Sequence, residues 1–169
     1  MAYQDDIKKA AALLLPWNKL SGCNILVTGA TGLIGGCLVD VLMAHKGRNY
    51  NVYASGRNEE RAGRRFLKYA DDNSFHFVKY DVAHPLEYDV NFQYIIHAAS
   101  GAYPEEFIKH PVEVIKGNIN GVDNLMGYGI QHGIKRLLYI SSGEVYGEGD
   151  GRVFTENYSG YVDCTSLRS

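Results

Sequence analysis

The sequence predicts one α/β domain in which helices cover both faces of a parallel sheet, and three observations lead to this fold class. The chain has 169 residues, about the length of a single domain. Short apolar runs alternate with longer amphipathic stretches, the pattern of repeated strand–helix units. A glycine-rich segment joins the first apolar run to the first amphipathic stretch, as tight strand-to-helix turns require.

Five strands and three helices are expected along this pattern. The strands fall at residues 24–27, 51–55, 75–80, 94–98 and 136–141, and the helices at 33–45, 58–70 and 111–131. Gly47 fits the stop of the first helix. That helix carries apolar residues at helical spacing, which predicts its buried face: Leu33, Ile34, Cys37, Leu38, Val41 and Leu42.

The chain divides into three expected segments. Residues 1–22 form an extension in which residues 3–17 are expected as a helix on the sheet edge, with a solvated face bearing Asp5, Asp6, Lys8 and Lys9. Residues 23–147 form the α/β domain. Residues 148–169 are rich in glycine and indicate the start of a further region that the chain does not complete.

Composition narrows the class of partner and compartment. Hydrophobic residues make up 46%, charged residues 21%, and the net charge is −2, so neither a nucleic-acid nor a membrane partner is indicated. The apolar stretch at residues 10–15 is too short to span a bilayer. Cys23, Cys37 and Cys164 are odd in number and lack metal-ligand spacing, which indicates no disulfide framework, no metal site and a reducing cytoplasm.

The strongest signal is the glycine-rich turn at residues 28–35, Thr-Gly-Ala-Thr-Gly-Leu-Ile-Gly. Gly29 permits the tight turn, Gly32 lets a pyrophosphate approach the backbone, and Gly35 allows close packing of the helix. Free amides at the helix N-terminus then face the phosphate charge. In this strand–turn–helix context, the segment predicts a dinucleotide-binding Rossmann fold, a doubly wound parallel sheet in three α/β/α layers.

The spacing of these glycines resembles that of the extended short-chain dehydrogenase/reductase family, whose pattern is Thr-Gly-x-x-Gly-x-x-Gly. The resemblance covers residues 23–147 and is closest to the enzymes that epimerise or dehydrate nucleotide sugars. It implies NAD or NADP as cofactor and a nucleotide-sugar substrate. It also implies that the cofactor contacts Gly29, Thr31, Gly32, Leu33, Ile34 and Gly35.

Further cofactor-binding residues are expected after the later strands. Where an NAD enzyme places a carboxylate, this chain has Ser55 and Gly56. Arg57 follows immediately, and its guanidinium tips the expectation towards NADP. Alternatively Arg57 belongs to a solvated helix face with Arg61, Arg64 and Arg65. The resemblance implies that Asp81 and Val82 hold the adenine, although an aspartate ending a strand is also a common turn residue. His97 is expected to be structural. The resemblance assigns the remaining cofactor-site residues as Ala98, Ala99, Ser100 and Asn118, the asparagine acting through backbone contacts.

The fifth strand leads into the segment that carries the catalytic serine in the family. The resemblance implies that Ser142 hydrogen-bonds the reacting substrate oxygen and that Glu144 manages a proton beside it. Dehydratases of the family usually have an aspartate where this chain has Gly143, which counts against simple dehydration and leaves epimerisation and decarboxylation open. An exposed glutamate without a chemical role is the alternative for Glu144.

The family's catalytic tyrosine, with lysine four residues later, is absent. None of the thirteen tyrosines has lysine at that spacing, and Tyr161 is followed by Thr165. We therefore expect an N-terminal fragment, inactive alone, whose C-terminal substrate region is missing. A dimer through residues 111–131 is expected from the resemblance. Two other functions stay open: a non-catalytic NADP(H)-binding regulatory module, and a reductase of a small ketone or alcohol.

Overall fold

The computed structural model describes residues 2–101 and 104–165, and its centre is a five-stranded parallel sheet. The strands are β1 (Asn24–Thr28), β2 (Asn51–Gly56), β3 (Phe75–Lys79), β4 (Tyr94–His97) and β5 (Arg136–Tyr139). Their order is β3-β2-β1-β4-β5. Because β1 connects outward to β2 on one side and lies beside β4 on the other, the strand order reverses here, and such a reversal opens a crevice at the carboxyl ends of the strands.

Helices form the two outer layers, as the sequence predicts. They are α1 (Ala2–Ala11), α2 (Leu33–Ala44), α3 (Glu59–Phe66), α4 (Pro104–Lys109) and α5 (Pro111–Gln131). Ile25 and Val27 face a core shared with α2 and α3, whereas Leu26 faces a second core that includes Leu125 and Tyr128 of α5. This alternation along β1 is the period of two that places successive side chains on opposite faces.

The N-terminal helix is shorter than predicted and lies elsewhere. It ends at Ala11, and a 3-10 turn at Trp17–Leu20 follows instead of a helix to residue 17. Pro16 explains the early end, because a proline removes a backbone donor and disfavours helical geometry in the residue before it. Helix α1 packs on α2 rather than on the sheet edge.

The predicted buried face of α2 is wrong in its first turn. Leu33 and Ile34 are 87% and 52% exposed, whereas the buried positions are Gly35, Gly36, Val39, Asp40, Leu42 and Met43. A side chain at Gly36 would place its Cβ 3.1 Å from the Ala30 carbonyl oxygen. The two glycines therefore turn the small face of the helix inward, which directs the first two apolar side chains towards solvent.

A buried carboxylate joins three helical segments on this face. Asp40 is fully buried and accepts hydrogen bonds from the hydroxyls of Tyr3 at 2.7 Å and Tyr69 at 2.9 Å. Arg65 and Lys68 place cationic nitrogens 2.5 Å and 3.0 Å from its oxygens. Arg65 thus lies against α2, and its assignment to a solvated face of α3 is wrong.

As far as residue 165, the segment after β5 folds back on itself without regular strands. An antiparallel bridge joins Glu148 to Tyr161, and the amide of Gly160 donates to the carbonyl oxygen of Tyr146. Leu138 of the edge strand β5 is 54% exposed. Among the residues that the structure describes, no helix combines the length and apolar character needed to cross a membrane.

Candidate functional site

The glycine-rich turn connects β1 to α2 at the crevice, and two of its positions sterically require glycine. Gly29 has a φ of +64°, and a Cβ there would lie 2.5 Å from the Ala98 carbonyl oxygen of the adjacent chain segment. A Cβ at Gly35 would lie 2.4 Å from the Gly29 carbonyl oxygen. The backbone at Gly29 therefore packs against that at Ala98, and the backbone at Gly35 packs against that at Gly29. A larger residue at either glycine would push these segments apart.

The first turn of α2 presents unpaired amides beside this turn. Gly32 caps the helix without a side-chain hydrogen bond, and the first helical bond runs from the amide of Gly36 to the carbonyl of Gly32. The amides of Leu33 and Ile34 consequently lack helical acceptors. The first turn also contains no acidic residue. These features fit an anionic group such as a diphosphate, which the helix dipole attracts.

At the carboxyl ends of β2 and β3, Arg57 and Asp81 lie together. Their charged groups are 3.9 Å apart, and Arg57 is largely exposed, so the guanidinium is accessible to a ligand. Asp81 accepts the amide of Ala83, which is a turn contact, and the Val82 carbonyl accepts the side-chain amide of Asn124. Gly56, ending β2, lies against Thr31, where a Cβ would be 3.5 Å from the threonine side chain.

The end of β4 carries a buried histidine that the sequence correctly places in the core. The Nδ1 atom of His97 is hydrogen-bonded to the Thr28 hydroxyl at 2.7 Å, and burial lowers the pKa of the imidazole. Its Nε2 atom lies 3.0 Å from where a Cβ of Gly121 would stand. Within residues 2–101 and 104–165, this Nε2 and the Ser55 hydroxyl are buried without hydrogen-bond partners. The histidine is thus only half satisfied.

Ser100 and Asn118 are brought together beyond β4. The serine hydroxyl donates to the Asn118 side-chain oxygen at 2.8 Å, which links the loop after β4 to α5. The contact that the structure gives Asn118 is therefore made to a side chain, rather than to the backbone as expected. Ala98 and Ala99 precede this loop, and Ala98 forms the close contact with Gly29.

The two candidate catalytic residues lie after β5, on a 3-10 turn at Gly143–Tyr146. Ser142 caps this turn by accepting the Glu144 amide at 3.3 Å, and both side chains are exposed. The amide of Ile140 donates to the His97 carbonyl, which ties the end of β5 to β4. Because all strands are parallel, Ser142 and Glu144 share the sheet edge with the glycine-rich turn.

Two features of the site were missed by the sequence interpretation. Thr28 belongs to the sequence pattern only as its first residue, but its hydroxyl is hydrogen-bonded to His97. Ser55 stands out in the sequence only because it is not a carboxylate, but its buried hydroxyl has no hydrogen-bond partner among the described residues. It lies beside the turn, whose Ala30 amide donates to the Ser55 carbonyl. No signal in the sequence reveals either contact, because both depend on strand register.

The model of the NAD dependent epimerase/dehydratase family matches residues 25–166. The chain belongs to this family. Relatives include UDP-glucuronic acid decarboxylase 6 of Arabidopsis thaliana, 34% identical over 88% of this chain and 42% of that protein. UDP-glucuronic acid decarboxylase 1 of Danio rerio is 32% identical over 86% of this chain and 33% of that protein. The chain thus spans less than half the length of these relatives.

Solved structures of nucleotide-sugar enzymes share the fold. UDP-glucose-4-epimerase from Stenotrophomonas maltophila, solved with bound NAD and formylated UDP-arabinopyranose, superposes with a TM-score of 0.66 at 25% identity, over 81% of this chain and 42% of that one. A dTDP-glucose 4,6-dehydratase from Streptomyces venezuelae with NAD bound gives 0.69 at 21% identity, over 82% and 45%. Both support the Rossmann-type assignment of the sheet.

Proposed function

We propose that this chain is the cofactor-binding part of an enzyme that acts on a nucleotide sugar by transient hydride transfer. The observation that carries the proposal is the turn from β1 to α2. Gly29 and Gly35 leave no room for a Cβ there, so the backbone packs closely, and the amides of Leu33 and Ile34, which lack helical acceptors, can bind a diphosphate. The solved epimerase and dehydratase were crystallised with NAD and share this fold. When bound, the nicotinamide would accept and return a hydride.

The residues beyond β5 supply the proton chemistry in this proposal. Ser142 would donate a hydrogen bond to the substrate oxygen that alternates between alcohol and ketone. Glu144 would hold or move a proton near the neighbouring carbon. Gly143 has no acidic side chain that could protonate a departing hydroxyl group. Decarboxylation needs no such acid, because the electrons of the breaking carbon–carbon bond move into the neighbouring ketone. Together with the UDP-glucuronic acid decarboxylases among the relatives, this favours decarboxylation of a UDP-linked sugar acid.

We propose that the site accepts NADP through Arg57. No carboxylate stands at the end of β2 to bind the ribose hydroxyls, because Ser55 and Gly56 occupy that position. The Arg57 guanidinium is exposed, and among the described residues a 3.9 Å ion pair with Asp81 is the contact that holds it. Exposed ion pairs contribute little, so a 2′-phosphate could compete for the arginine at small cost.

We also propose that the chain dimerises through α5. The exposed apolar side chains of α5 follow a helical stripe, which consists of Val112, Ile115, Ile119, Met126 and Ile130. Ile108, near the end of α4, is also exposed. Spacings of three, four and seven residues place the α5 side chains on one face. Such a stripe on a helix surface indicates a contact with another helix.

Calorimetric titration of the purified chain with NAD, NADH, NADP and NADPH tests the cofactor assignment. Gly32→Val should abolish binding, because its side chain would crowd the Gly29 carbonyl oxygen, which is 3.2 Å from the position of a Cβ. Gly63→Val is the matched control, since a Cβ at Gly63 meets no atom within 4 Å. Equal affinities for both variants, or no binding by a chain extended past Ser169, would refute the assignment.

Turnover is tested with the same extended chain and UDP-glucuronic acid. Release of carbon dioxide is expected, and Glu144→Gln should lower kcat on the order of a hundredfold if the carboxylate transfers a proton. Equal kcat for the variant and the parent would remove Glu144 from the mechanism. Dinucleotide binding without turnover of any nucleotide sugar would favour the regulatory module instead.

A further inference from the structure

Three consecutive leucines project from the loop that follows α1. We call residues 13–16, Leu-Leu-Leu-Pro, the leucine loop. Leu13, Leu14 and Leu15 are 56%, 103% and 52% exposed, so Leu14 makes almost no contact with the rest of the chain. Single exposed leucines are common on protein surfaces, but three adjacent ones form a continuous apolar patch that indicates a contact site.

The leucine loop is held in place by the residue that follows it. The Trp17 indole nitrogen donates to the Leu13 carbonyl at 2.9 Å, and the indole stacks on His45 with ring centroids 4.2 Å apart. His45 in turn lies 3.1 Å from the Ala11 carbonyl oxygen, which fixes the end of α1 to the end of α2. The exposed leucines therefore belong to an ordered loop with a defined base.

The loop lies at the amino edge of the sheet, opposite the candidate site. The 3-10 turn after it leads into β1, and Gly22 donates its amide to the Asn49 carbonyl just before β2. The glycine-rich turn lies at the other end of β1. The loop also precedes residue 25, where the family match begins, so the family's shared function leaves this segment unexplained.

Four lysines belong to the segments on either side of the leucine loop and at its base. Lys8 and Lys9 occupy the last turn of α1, Lys19 lies in the 3-10 turn, and Lys46 follows His45. The segments 7–23 and 41–50, which form the base of the loop, contain no aspartate or glutamate. The nearest acidic partner along α1 is Asp6, 3.9 Å from Lys9. The patch is thus apolar at its tip and rests on segments that carry lysines, with Asp72 beside them in an ion pair with Arg48.

We propose that the leucine loop docks this protein on an anionic lipid surface. The leucines enter the boundary between headgroups and acyl chains, Trp17 lies at that boundary, and the lysines of the neighbouring segments contact lipid phosphates. A four-residue loop is too small for a specific protein interface, which buries about 800 Å² on each side. Insertion into a bilayer needs no such area or shape match. It also leaves the glycine-rich turn facing away from the lipid.

Vesicle co-sedimentation tests this proposal with the full chain. We expect binding to vesicles of phosphatidylcholine and phosphatidylglycerol in equal parts, weaker binding to phosphatidylcholine alone, and release by salt. Leu14→Glu should lower the partition coefficient at least about tenfold, since it removes a fully exposed leucine from the inserted tip. Leu67→Glu is the matched control, because Leu67 is 73% exposed outside the loop and should leave binding unchanged.

The single tryptophan gives a second readout in the same samples. Trp17 is the only tryptophan of the chain, so its emission reports on the leucine loop alone, and a shift to shorter wavelength is expected with anionic vesicles. Equal partition of the Leu14 and Leu67 variants, or no vesicle binding, would overturn the proposal. Self-association that Leu14→Glu abolishes, without vesicle binding, would replace the lipid with a second copy of the chain.

Discussion

Replacing the buried carboxylate of α2 tests the interactions that hold the first helix on the domain. Burial alone would raise the pKa of Asp40, but hydrogen bonds from Arg65, Tyr3, Lys68 and Tyr69 outweigh it and lower that pKa from 3.8 to about 2. This difference corresponds to about 2 kcal/mol of stability at neutral pH. Asp40→Asn should therefore lower the free energy of unfolding by about 2–3 kcal/mol. This is a small cost for breaking a buried ion pair, because the cationic partners of Asp40 can turn towards solvent.

The pH dependence separates this charge effect from a simple loss of packing. Because the folded pKa is lowered, the stabilisation is fully present above the unfolded value of 3.8 and is lost as the pH falls towards about 2. Urea unfolding of Asp40→Asn and the parent should therefore give curves that converge between about pH 5 and about pH 2. The exposed Asp71→Asn is the control. The reasoning would be refuted if the two free energies of unfolding differed by a constant amount across this range, or by less than about 1 kcal/mol at neutral pH.

Three further results are expected. Gly35→Ala places a Cβ 2.4 Å from the Gly29 carbonyl oxygen. Calorimetry should therefore show no dinucleotide binding, and thermal unfolding should show a free energy of unfolding lower by about 2–3 kcal/mol, whereas Gly63→Ala should change neither. Normal binding by Gly35→Ala would contradict the turn geometry. Arg57→Ala should weaken NADP binding on the order of tenfold and leave NAD binding unchanged, and an equal effect on both would return Arg57 to the solvated helix face. Ile119→Asp should convert the dimer to a monomer in analytical ultracentrifugation, and a variant that still sediments as a dimer would show that the stripe on α5 is not the contact.

Most of the fold could be predicted because each element carries its own local signal. Helix α5 begins and ends where the sequence predicts, since Pro111 starts it and Gly133, with a φ of +71°, follows it. Every strand was located to within two residues at each end by its apolar run. Helix α4 was missed because six residues contain too few turns for a helical period to appear. Helix α1 was predicted too long because an apolar run continues past Ala11 into the exposed loop.

The candidate site was less predictable, because side-chain contacts depend on register and helix rotation. The spacing of the glycines predicted the turn, and the structure gives Gly29 and Gly35 the close contacts that exclude a Cβ. The hydrogen bond between Thr28 and His97 requires β1 and β4 to pair in one particular register, which no local pattern encodes. The exposure of Leu33 depends on which face of α2 the glycines turn inward, and apolar periodicity alone gave the wrong answer.

Helix α2 connects the features that sequence reasoning treated separately. Its first amides face the candidate diphosphate site, Asp40 in its middle binds α1 and the residues after α3, and His45 at its end stacks on Trp17 beneath the leucine loop. Its twelve residues place the two ends about 18 Å apart. A surface bound by the loop would therefore contact neither the dinucleotide nor the groups that hold it. The proposed lipid contact of residues 1–22 therefore leaves free the edge of the sheet at which the family's chemistry is proposed to occur.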